Sequence, residues 1–225
     1  MTVRDRVLNA DMLLRAYRLG LFPMAETRQS QSLHFLDPER RGVLPLDGFY
    51  MPRRLFRTLR TTRLRIVADR DFRGLIAACA QPRANRPETW INAEIERLFV
   101  ELHDLGHAHS VEVWDGGRLA GGLYGLVIGG AFFGESMVSL TRDASKLALA
   151  HLVARLRLCG FGLLDTQFLT DHLARFGAYE VSKATYHALL AEAVALPARW
   201  VTELDPATIA REIETMHRII QEDQA

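Results

Sequence analysis

Asp165 and Gln167 stand at the end of a mostly apolar run that begins at Gly162. The run predicts a strand, and residues two positions apart on a strand project from the same face. Both side chains are therefore expected to point into one site. A carboxylate and a carboxamide placed together can serve a polar site, or they can hold the loop that follows the strand. Without other evidence, the pattern favours the loop.

Two further charged residues occur where their charge needs an explanation. Glu135 ends an apolar run in the motif GESM, so its carboxylate must find a cation or several hydrogen-bond donors. An internal arginine or the ammonium group of a substrate would both satisfy it. Lys146 begins a helical pattern in the motif DASK, and a lysine beside helix N-terminal amides suits a phosphate. Asp143 as a helix cap beside a solvated lysine is the alternative.

Arginines are concentrated between residues 40 and 65, where Asp47 is the only acidic residue. The formal net charge of the whole chain is only +1, so the basic character is local. Such a segment can bind a polyanion, or it can form a solvated basic face. The arginines of the segment are Arg40, Arg41, Arg53, Arg54, Arg57, Arg60, Arg63 and Arg65.

The sequence gives no sign of a metal site, a disulfide or a membrane span. His103, His107 and His109 lie close together in the sequence but carry no supporting cysteine or carboxylate pattern, so no metal site is expected. Cys79 and Cys159 lie in apolar runs without CxxC spacing and are expected to be buried thiols in a reducing compartment. No apolar run approaches the length of a membrane span, and the first residues lack an apolar signal core. These features predict a cytoplasmic protein.

Hydrophobic periodicity and turn residues predict the elements that must position these side chains. Turns are expected at 115–118 and 129–130, so that three consecutive antiparallel strands form a meander. Residues 25–34 are expected to form a loop. Helices are predicted over 9–19, 53–60, 72–79, 92–106 and 144–158, and after Ala184 and Pro206. Strands are predicted over 42–46, 65–68, 110–114, 131–138 and 162–167, and from Leu119 onward.

This order of elements predicts an α/β (α+β) fold. A small N-terminal domain over residues 1–62 carries the arginine-rich segment, and a larger domain over residues 63–225 carries the remaining candidate residues. In the larger domain a helical part is followed by a meander, a long helix, a strand and a helix. That order resembles the acetyltransferase-like (GNAT) fold of acyl-transfer enzymes.

Eight segments together carry a resemblance to one family. They occur in the order AYRLGLFP (16–23), DPERRGVL (37–44), TWI (89–91), LHDLGHAHSVEVW (102–114), GGLYG (121–125), FGESM (133–137), DASK (143–146) and LDTQ (164–167). The ordered set resembles the leucyl/phenylalanyl-tRNA–protein transferase family and covers roughly residues 10–190. Each segment is a weak signal alone, whereas the ordered set is highly specific.

The resemblance implies an aminoacyltransferase. Its donor is leucine or phenylalanine esterified to tRNA, and its acceptor is the N-terminal α-amine of a protein that begins with Arg or Lys, which is thereby tagged for degradation. The ester is already activated, so the resemblance implies no ATP, metal or redox cofactor. The enzyme must align the reactants and stabilise the developing oxyanion.

The resemblance also implies roles for particular residues. Asp165 and Gln167 correspond to the family's proposed catalytic pair, in which the Gln167 carbonyl accepts a hydrogen bond from the attacking amine and Asp165 holds the amide group. Glu135, next to Gly134, meets a substrate ammonium. The donor side chain is expected to contact Leu123, Phe132, Leu152 and Leu156. The tRNA is expected to contact Arg53, Arg54, Arg57, Arg60 and Lys146.

The chain departs from the family pattern at aromatic positions. Many members have tryptophan at the position of Met24, phenylalanine at Val138 and arginine at Leu140. If those side chains help to hold the terminal adenosine, the stacking surface is smaller here, and Phe35 is expected to replace part of it. These departures concern substrate preference more than the class of reaction.

Two other functions fit parts of the pattern. An acyl-CoA-dependent N-acetyltransferase of the GNAT type would share the fold, but it needs a glycine-rich pyrophosphate loop before the long helix. No glycine occurs between Ser136 and Cys159, which argues against CoA. A non-catalytic RNA-binding protein would explain the arginines but would leave Glu135, Asp165 and Gln167 without a role.

Overall fold

The computed structural model describes residues 8–83 and 87–222 as a mixed α/β structure. Its helices are α1 Ala10–Arg18, α2 Arg53–Thr61, α3 Phe72–Ala80, α4 Ala93–Asp104, α5 Ala144–Leu158, α6 Asp171–Ala174, α7 Lys183–Ala195 and α8 Pro206–Glu222. Its strands are β1 Phe22–Met24, β2 His34–Leu36, β3 Arg40–Val43, β4 Arg65–Ala68, β5 Ala108–Asp115, β6 Arg118–Ile128, β7 Ala131–Ser139, β8 Leu163–Gln167 and β9 Tyr179–Ser182.

Seven of these strands form one sheet in the order β4-β5-β6-β7-β8-β3-β9. Strands β4 to β7 are antiparallel neighbours, β8 runs parallel to β7, and β3 runs antiparallel to both β8 and β9. A parallel neighbour needs a long crossover, and α5 supplies it between β7 and β8. The remaining pair, β1 and β2, forms a separate two-stranded sheet.

The turns of the meander are formed by glycine pairs. Gly116 and Gly129 have φ values of 56° and 55°, a left-handed conformation that side chains disfavour. A Cβ atom on Gly129 would also approach the backbone of Val194 to 2.1 Å, so this turn packs directly against the end of α7. The predicted three-stranded antiparallel meander is confirmed.

Buried side chains form two hydrophobic clusters. One cluster joins residues of α1, α3, α4 and α7 to the sheet, and the other joins α2, α5 and α8 to it. Helix α5 is buried on nearly all sides, as expected for a helix without a polar face. The predicted apolar positions of the last helix, Ile209, Ile213 and Met216, are buried in the second cluster, while the side chain of Ile220 lies outside the described residues.

The α/β class is confirmed, and several details differ from expectation. Strand β3 begins at Arg40 and ends at Val43, rather than spanning 42–46, because pairing with β8 and β9 defines its ends. That strand lies inside the main sheet although it comes from the segment expected to form the small domain; the boundary at residue 62 stays a prediction. The last residue of the loop expected over 25–34, His34, is instead the first residue of β2. No helix within residues 8–83 and 87–222 is long and apolar enough to cross a membrane.

Candidate active site

A cavity of about 330 Å³ opens between the small sheet, β6, β7, β8 and α5. Much of its apolar wall comes from β6, β7, α5 and β8 and from the short helix α6. Leu123 and Met137 project from β6 and β7, Leu149 and Leu152 from α5, and Leu164 and Leu173 from β8 and α6. The polar lining comes from Glu135, Ser136, Thr166, Gln167, Thr170 and His172. The arrangement suits a ligand with an apolar side chain and a polar end.

Gln167 reaches this cavity from the last position of β8. Its backbone is left-handed, with a φ of 56°, an uncommon conformation for a residue other than glycine. The Nε2 atom is buried and has no hydrogen-bond partner within the described structure. A buried amide donor without a partner costs free energy that a bound acceptor can recover. Gln167 is therefore prepared to bind a ligand at the polar side of the cavity.

Asp165 lies behind the cavity rather than in it. Its side chain is 0% exposed and is not part of the cavity wall, which corrects the expectation that both side chains point into one site. One carboxylate oxygen accepts a hydrogen bond of 2.8 Å from the backbone N–H of Gln167. Asp165 thus holds the main chain of Gln167, and not its amide group as expected.

Arg41 is the principal partner of Asp165. Its Nε and Nη2 atoms donate to the two carboxylate oxygens at 2.9 and 2.6 Å, and Tyr186 Oη donates to one of them at 2.8 Å. The guanidinium group lies between the rings of Phe22 and Tyr186, at 4.4 and 4.3 Å from their centres. Its Nη1 atom donates to the Gly20 carbonyl at 2.9 Å. Arg41 therefore joins the turn after α1, β8 and α7 into one buried unit.

Glu135 stands on β7 at the polar side of the cavity. Tyr17 Oη donates to its carboxylate at 2.7 Å. The pKa of Glu135 is raised to about 8, chiefly by burial and also by the charge on Asp165, although the Tyr17 hydrogen bond and the Arg41 charge lower it. In the empty cavity Glu135 is therefore largely protonated near neutral pH. A ligand cation would favour its ionised form.

The structure brings together only part of the predicted donor pocket. Leu123, Gly134 and Leu152 line the cavity, whereas Phe132 and Leu156 do not. Leu156 lies one helical turn beyond Leu152, and Phe132 lies two residues before Gly134, so both fall beyond the end of the cavity. The Phe132 ring packs instead on Trp200, with 5.7 Å between the ring centres.

The aromatic wall of the cavity differs from the one expected. Phe35 lies on β2, is 38% exposed and is not part of the wall. Trp90, Phe22 and Phe168 line it instead, and Met24 contributes beside them. The motif TWI had placed Trp90 among the resemblance segments, but nothing in its spacing pointed to the cavity.

A basic depression of about 240 Å³ lies beside the cavity. Arg54 and Lys146 line it, and Arg142 and Arg175 add two charges that the sequence patterns had not singled out. Lys146 pairs with Asp143 at 2.5 Å, and Asp143 has a φ of 63° and does not cap α5 with its side chain. The depression still carries an excess of positive charge. The other predicted arginines, Arg53, Arg57 and Arg60, are exposed along α2.

A carboxylate lies beside two of the three histidines, although the sequence analysis found none accompanying them. Asp69 lies beside His103 and His109, with candidate ligand atoms all within 4.8 Å. The Asp69 Oδ2 atom is close to His109 Nδ1 and accepts hydrogen bonds from Trp200 and Thr202 at 2.9 and 3.0 Å. These contacts hold the segment before α8 against Asp69 and His109.

Comparison of the sequence with known proteins identifies the family of the chain. The family model described as "Leucyl/phenylalanyl-tRNA protein transferase" matches residues 43–191, and the model of its N-terminal domain matches residues 6–39. The chain belongs to the leucyl/phenylalanyl-tRNA–protein transferase family. Within the transferase match lie Glu135, Asp165 and Gln167, whereas Arg41 lies between the two matched ranges.

Several similar proteins carry the name leucyl/phenylalanyl-tRNA–protein transferase. The one from Paramagnetospirillum magneticum is 57% identical over 208 residues, which cover 92% of this chain and 98% of that protein. The one from Cereibacter sphaeroides is 52% identical, with 93% and 97% covered. The one from Maricaulis maris is 49% identical, with 94% and 98% covered. This family member therefore matches those transferases over nearly their whole length.

Proposed function

We propose that this protein transfers leucine or phenylalanine from aminoacyl-tRNA to the N-terminal α-amine of proteins that begin with Arg or Lys. The observation that carries the proposal is the apolar cavity with Glu135 and Gln167 at its polar side, in a member of this family. Such tagging directs the acceptor protein to degradation. A substrate of this kind places the protein in the cytoplasm.

The donor amino acid fits the cavity with its apolar side chain at one end and its α-ammonium at the other. Leucine or phenylalanine would contact Leu123, Leu152 and Leu164, where no polar group has to be desolvated. Its α-ammonium would meet Glu135, which ionises as the cation arrives and keeps the hydrogen bond from Tyr17. Branching at the β carbon, as in valine and isoleucine, would disfavour entry by shape rather than by size.

The acceptor amine attacks the ester carbonyl carbon beside Gln167. A carbon–nitrogen bond forms, the bond between that carbon and the ribose 3′-oxygen breaks, and the amine proton passes to the departing 3′-oxygen. Gln167 can accept a hydrogen bond from the amine with its carbonyl and donate one with its free Nε2 atom. Asp165 fixes the Gln167 backbone and takes no part in the proton transfer. The ester needs no further activation, so the proposed chemistry uses alignment and hydrogen bonding by groups of the protein itself.

The tRNA would approach across the basic depression and α2. Arg54, Lys146, Arg142 and Arg175 surround the depression, which lies next to the cavity, so the last phosphates of the acceptor end would bind there. The exposed Arg53, Arg57 and Arg60 would contact phosphates farther along the stem. Phosphate contacts of this kind fix orientation without reading the base sequence.

The fold of the transfer domain is proposed to be GNAT-like. The support is the antiparallel meander, the long helix α5 and the parallel strand β8 beside β7. The division into a small domain over 1–62 and a transfer domain over 63–225 is kept as part of the proposal.

One assay tests the proposed activity against its alternative. The protein is mixed with labelled phenylalanyl-tRNA and a peptide that begins with Arg, and label is expected in the peptide. A matched peptide with an acetylated N-terminus should receive none, because its amine cannot attack. A second arm replaces the donor with labelled acetyl-CoA. Acetylation without aminoacyl transfer would support the N-acetyltransferase instead, and binding of tRNA with neither transfer would support a non-catalytic RNA-binding protein.

Replacing Arg53, Arg54 and Arg57 with alanine is expected to weaken tRNA binding for all sequences alike. Each lost phosphate contact should reduce the slope of log affinity against log salt by about 0.7–0.9, so three should reduce it by roughly 2. Filter binding at several salt concentrations measures the slope. The control replaces the exposed Arg15, Arg40 and Arg73, which lie on α1, β3 and α3. Equal slopes for the two triple variants would place the tRNA elsewhere.

A further inference from the structure

His172 occupies the border between the cavity and the basic depression. It is the residue that both linings share. It belongs to the short helix α6, whose start is fixed by Thr170, because the Thr170 hydroxyl accepts from the backbone N–H of Leu173 at 3.3 Å. The ring also rests edge-on against Phe176, with 5.3 Å between the ring centres. The start of α6 and the packing on Phe176 thus set the position of His172.

The Nε2 atom of His172 is buried and has no hydrogen-bond partner within the described structure. Burial lowers the pKa of the ring, and the charges of Lys146 and Arg175 lower it further. The imidazole is therefore neutral near pH 7, and a neutral ring has one nitrogen able to accept a hydrogen bond. A buried polar atom without a partner is a cost that a bound ligand can remove.

The parts of the donor that lie at this border follow from its covalent structure. In the proposed function the ester must reach Gln167 in the cavity, while the phosphate of the terminal nucleotide must reach the basic depression. The ribose joins those two groups and has to cross the border at His172. With its 3′-oxygen esterified and its 5′-oxygen in the phosphodiester, the ribose has one hydrogen-bond donor left, the 2′-hydroxyl.

We propose that Nε2 of His172 accepts a hydrogen bond from the 2′-hydroxyl of the terminal adenosine and so positions the ester at Gln167. This inference rests on the proposed function and adds a residue that selects a ribose over a deoxyribose end. The 2′-hydroxyl is the group by which a protein distinguishes RNA from DNA at a single nucleotide. No proton is transferred to His172, whose role is to bind and orient.

The test combines two donors with three enzymes. Phenylalanyl-tRNA ending in adenosine is compared with the same tRNA ending in 2′-deoxyadenosine, both esterified at the 3′-oxygen, and kcat/KM for transfer to an Arg-starting peptide is measured. The wild-type protein is expected to prefer the ribose end roughly tenfold. His172→Ala should lose that preference, because its cavity has no acceptor for the hydroxyl. His172→Gln places an amide oxygen nearby and should restore part of it.

His187→Ala is the matched control. His187 is half-buried and pairs with Asp37 at 3.2 Å, outside the cavity wall. Its removal should leave the tenfold ratio unchanged. A ratio of two donors does not depend on the fraction of folded enzyme, so a merely structural role of His172 would not alter it. A wild-type protein that transfers equally from both donors, or a His172→Ala variant that keeps the preference, would overturn the inference. Absence of transfer from the natural donor would overturn the proposed function itself.

Discussion

Replacing Arg41 with methionine is expected to lower the free energy of unfolding by about 3–5 kcal/mol. The change would leave the Asp165 carboxylate, which is 0% exposed, with the Tyr186 hydroxyl and the Gln167 amide as its remaining partners. An uncompensated buried charge is costlier than the loss of the pair as a whole. Transfer should fall as well, because without Arg41 the Asp165 carboxylate is held less firmly and positions the Gln167 backbone less well. Urea unfolding and single-turnover transfer from saturating phenylalanyl-tRNA measure the two effects.

The neighbouring arginine provides a close control for this experiment. Arg40 is on the same strand, but its side chain is 61% exposed and its partner Glu180 is partly exposed, so Arg40→Met should cost less than about 1 kcal/mol. Removing both charges with Arg41→Met and Asp165→Leu should recover much of the stability but none of the transfer, since Gln167 would lose its support. Strictly additive losses in this cycle would show that the two residues do not act as a unit.

Replacing Glu135 with glutamine is expected to stabilise the empty protein above pH 8 and to weaken donor binding. Burial raises the pKa of Glu135 from 4.5 to about 8, so the folded state binds a proton more tightly than the unfolded state does. That stabilisation is complete below pH 4.5 and is lost as pH rises through 8. Glutamine resembles the protonated form and can still accept from Tyr17. We expect the variant to gain about 1–3 kcal/mol at pH 8.5 and almost nothing at about pH 4, where both states are largely protonated.

The same substitution should weaken binding of the donor although it stabilises the protein. Without a carboxylate the α-ammonium of the donor loses its charged partner, and such a loss in a buried site costs about 2–5 kcal/mol. The dissociation constant for phenylalanyl-tRNA should therefore rise at least thirtyfold. Glu88→Gln, at an exposed position, should change neither quantity. A Glu135→Gln variant with wild-type donor affinity would show that the α-ammonium does not bind at Glu135. The same difference in stability between variant and wild type at both pH values would contradict the raised pKa of Glu135.

The meander was predictable from the sequence because its signals are local. Gly116-Gly117 and Gly129-Gly130 mark its turns, and the strands between them consist of residues suited to a sheet. Strand β9 and helix α6 were not predicted, because the first is exposed and the second is a single turn. Strand β3 takes its ends from β8 and β9, which are distant in the sequence. Elements defined by their partners carry little pattern of their own.

The candidate site, too, was predictable from the sequence only where its signals are local. Asp165 and Gln167 were correctly placed on one strand, but alternation could not show that Gln167 would adopt a left-handed backbone or that Asp165 would turn toward Arg41. Arg41 looked like one more member of a basic segment, although it is 1% exposed, whereas the arginines on α2 that were predicted to bind tRNA are exposed. Its burial depends on Phe22 and Tyr186, which come from β1 and α7 and which no local pattern connects.

Strand β3 also has a consequence for the order of synthesis. Arg41 and Asp165 are 124 positions apart, and a ribosome adding about 5–20 residues per second would need roughly 6–25 s to cover that distance. Gly42 leaves room for β8 and the residues after it to pack against β3 once they have been made. A Cβ atom at this position would lie 2.8 Å from Thr166 and from the backbone of Phe168 and Leu169. During this interval the strand has neither of its neighbours, so its backbone must remain hydrated. The polar side of the cavity is thus completed only after β8 and β9 have been synthesised and have paired with β3.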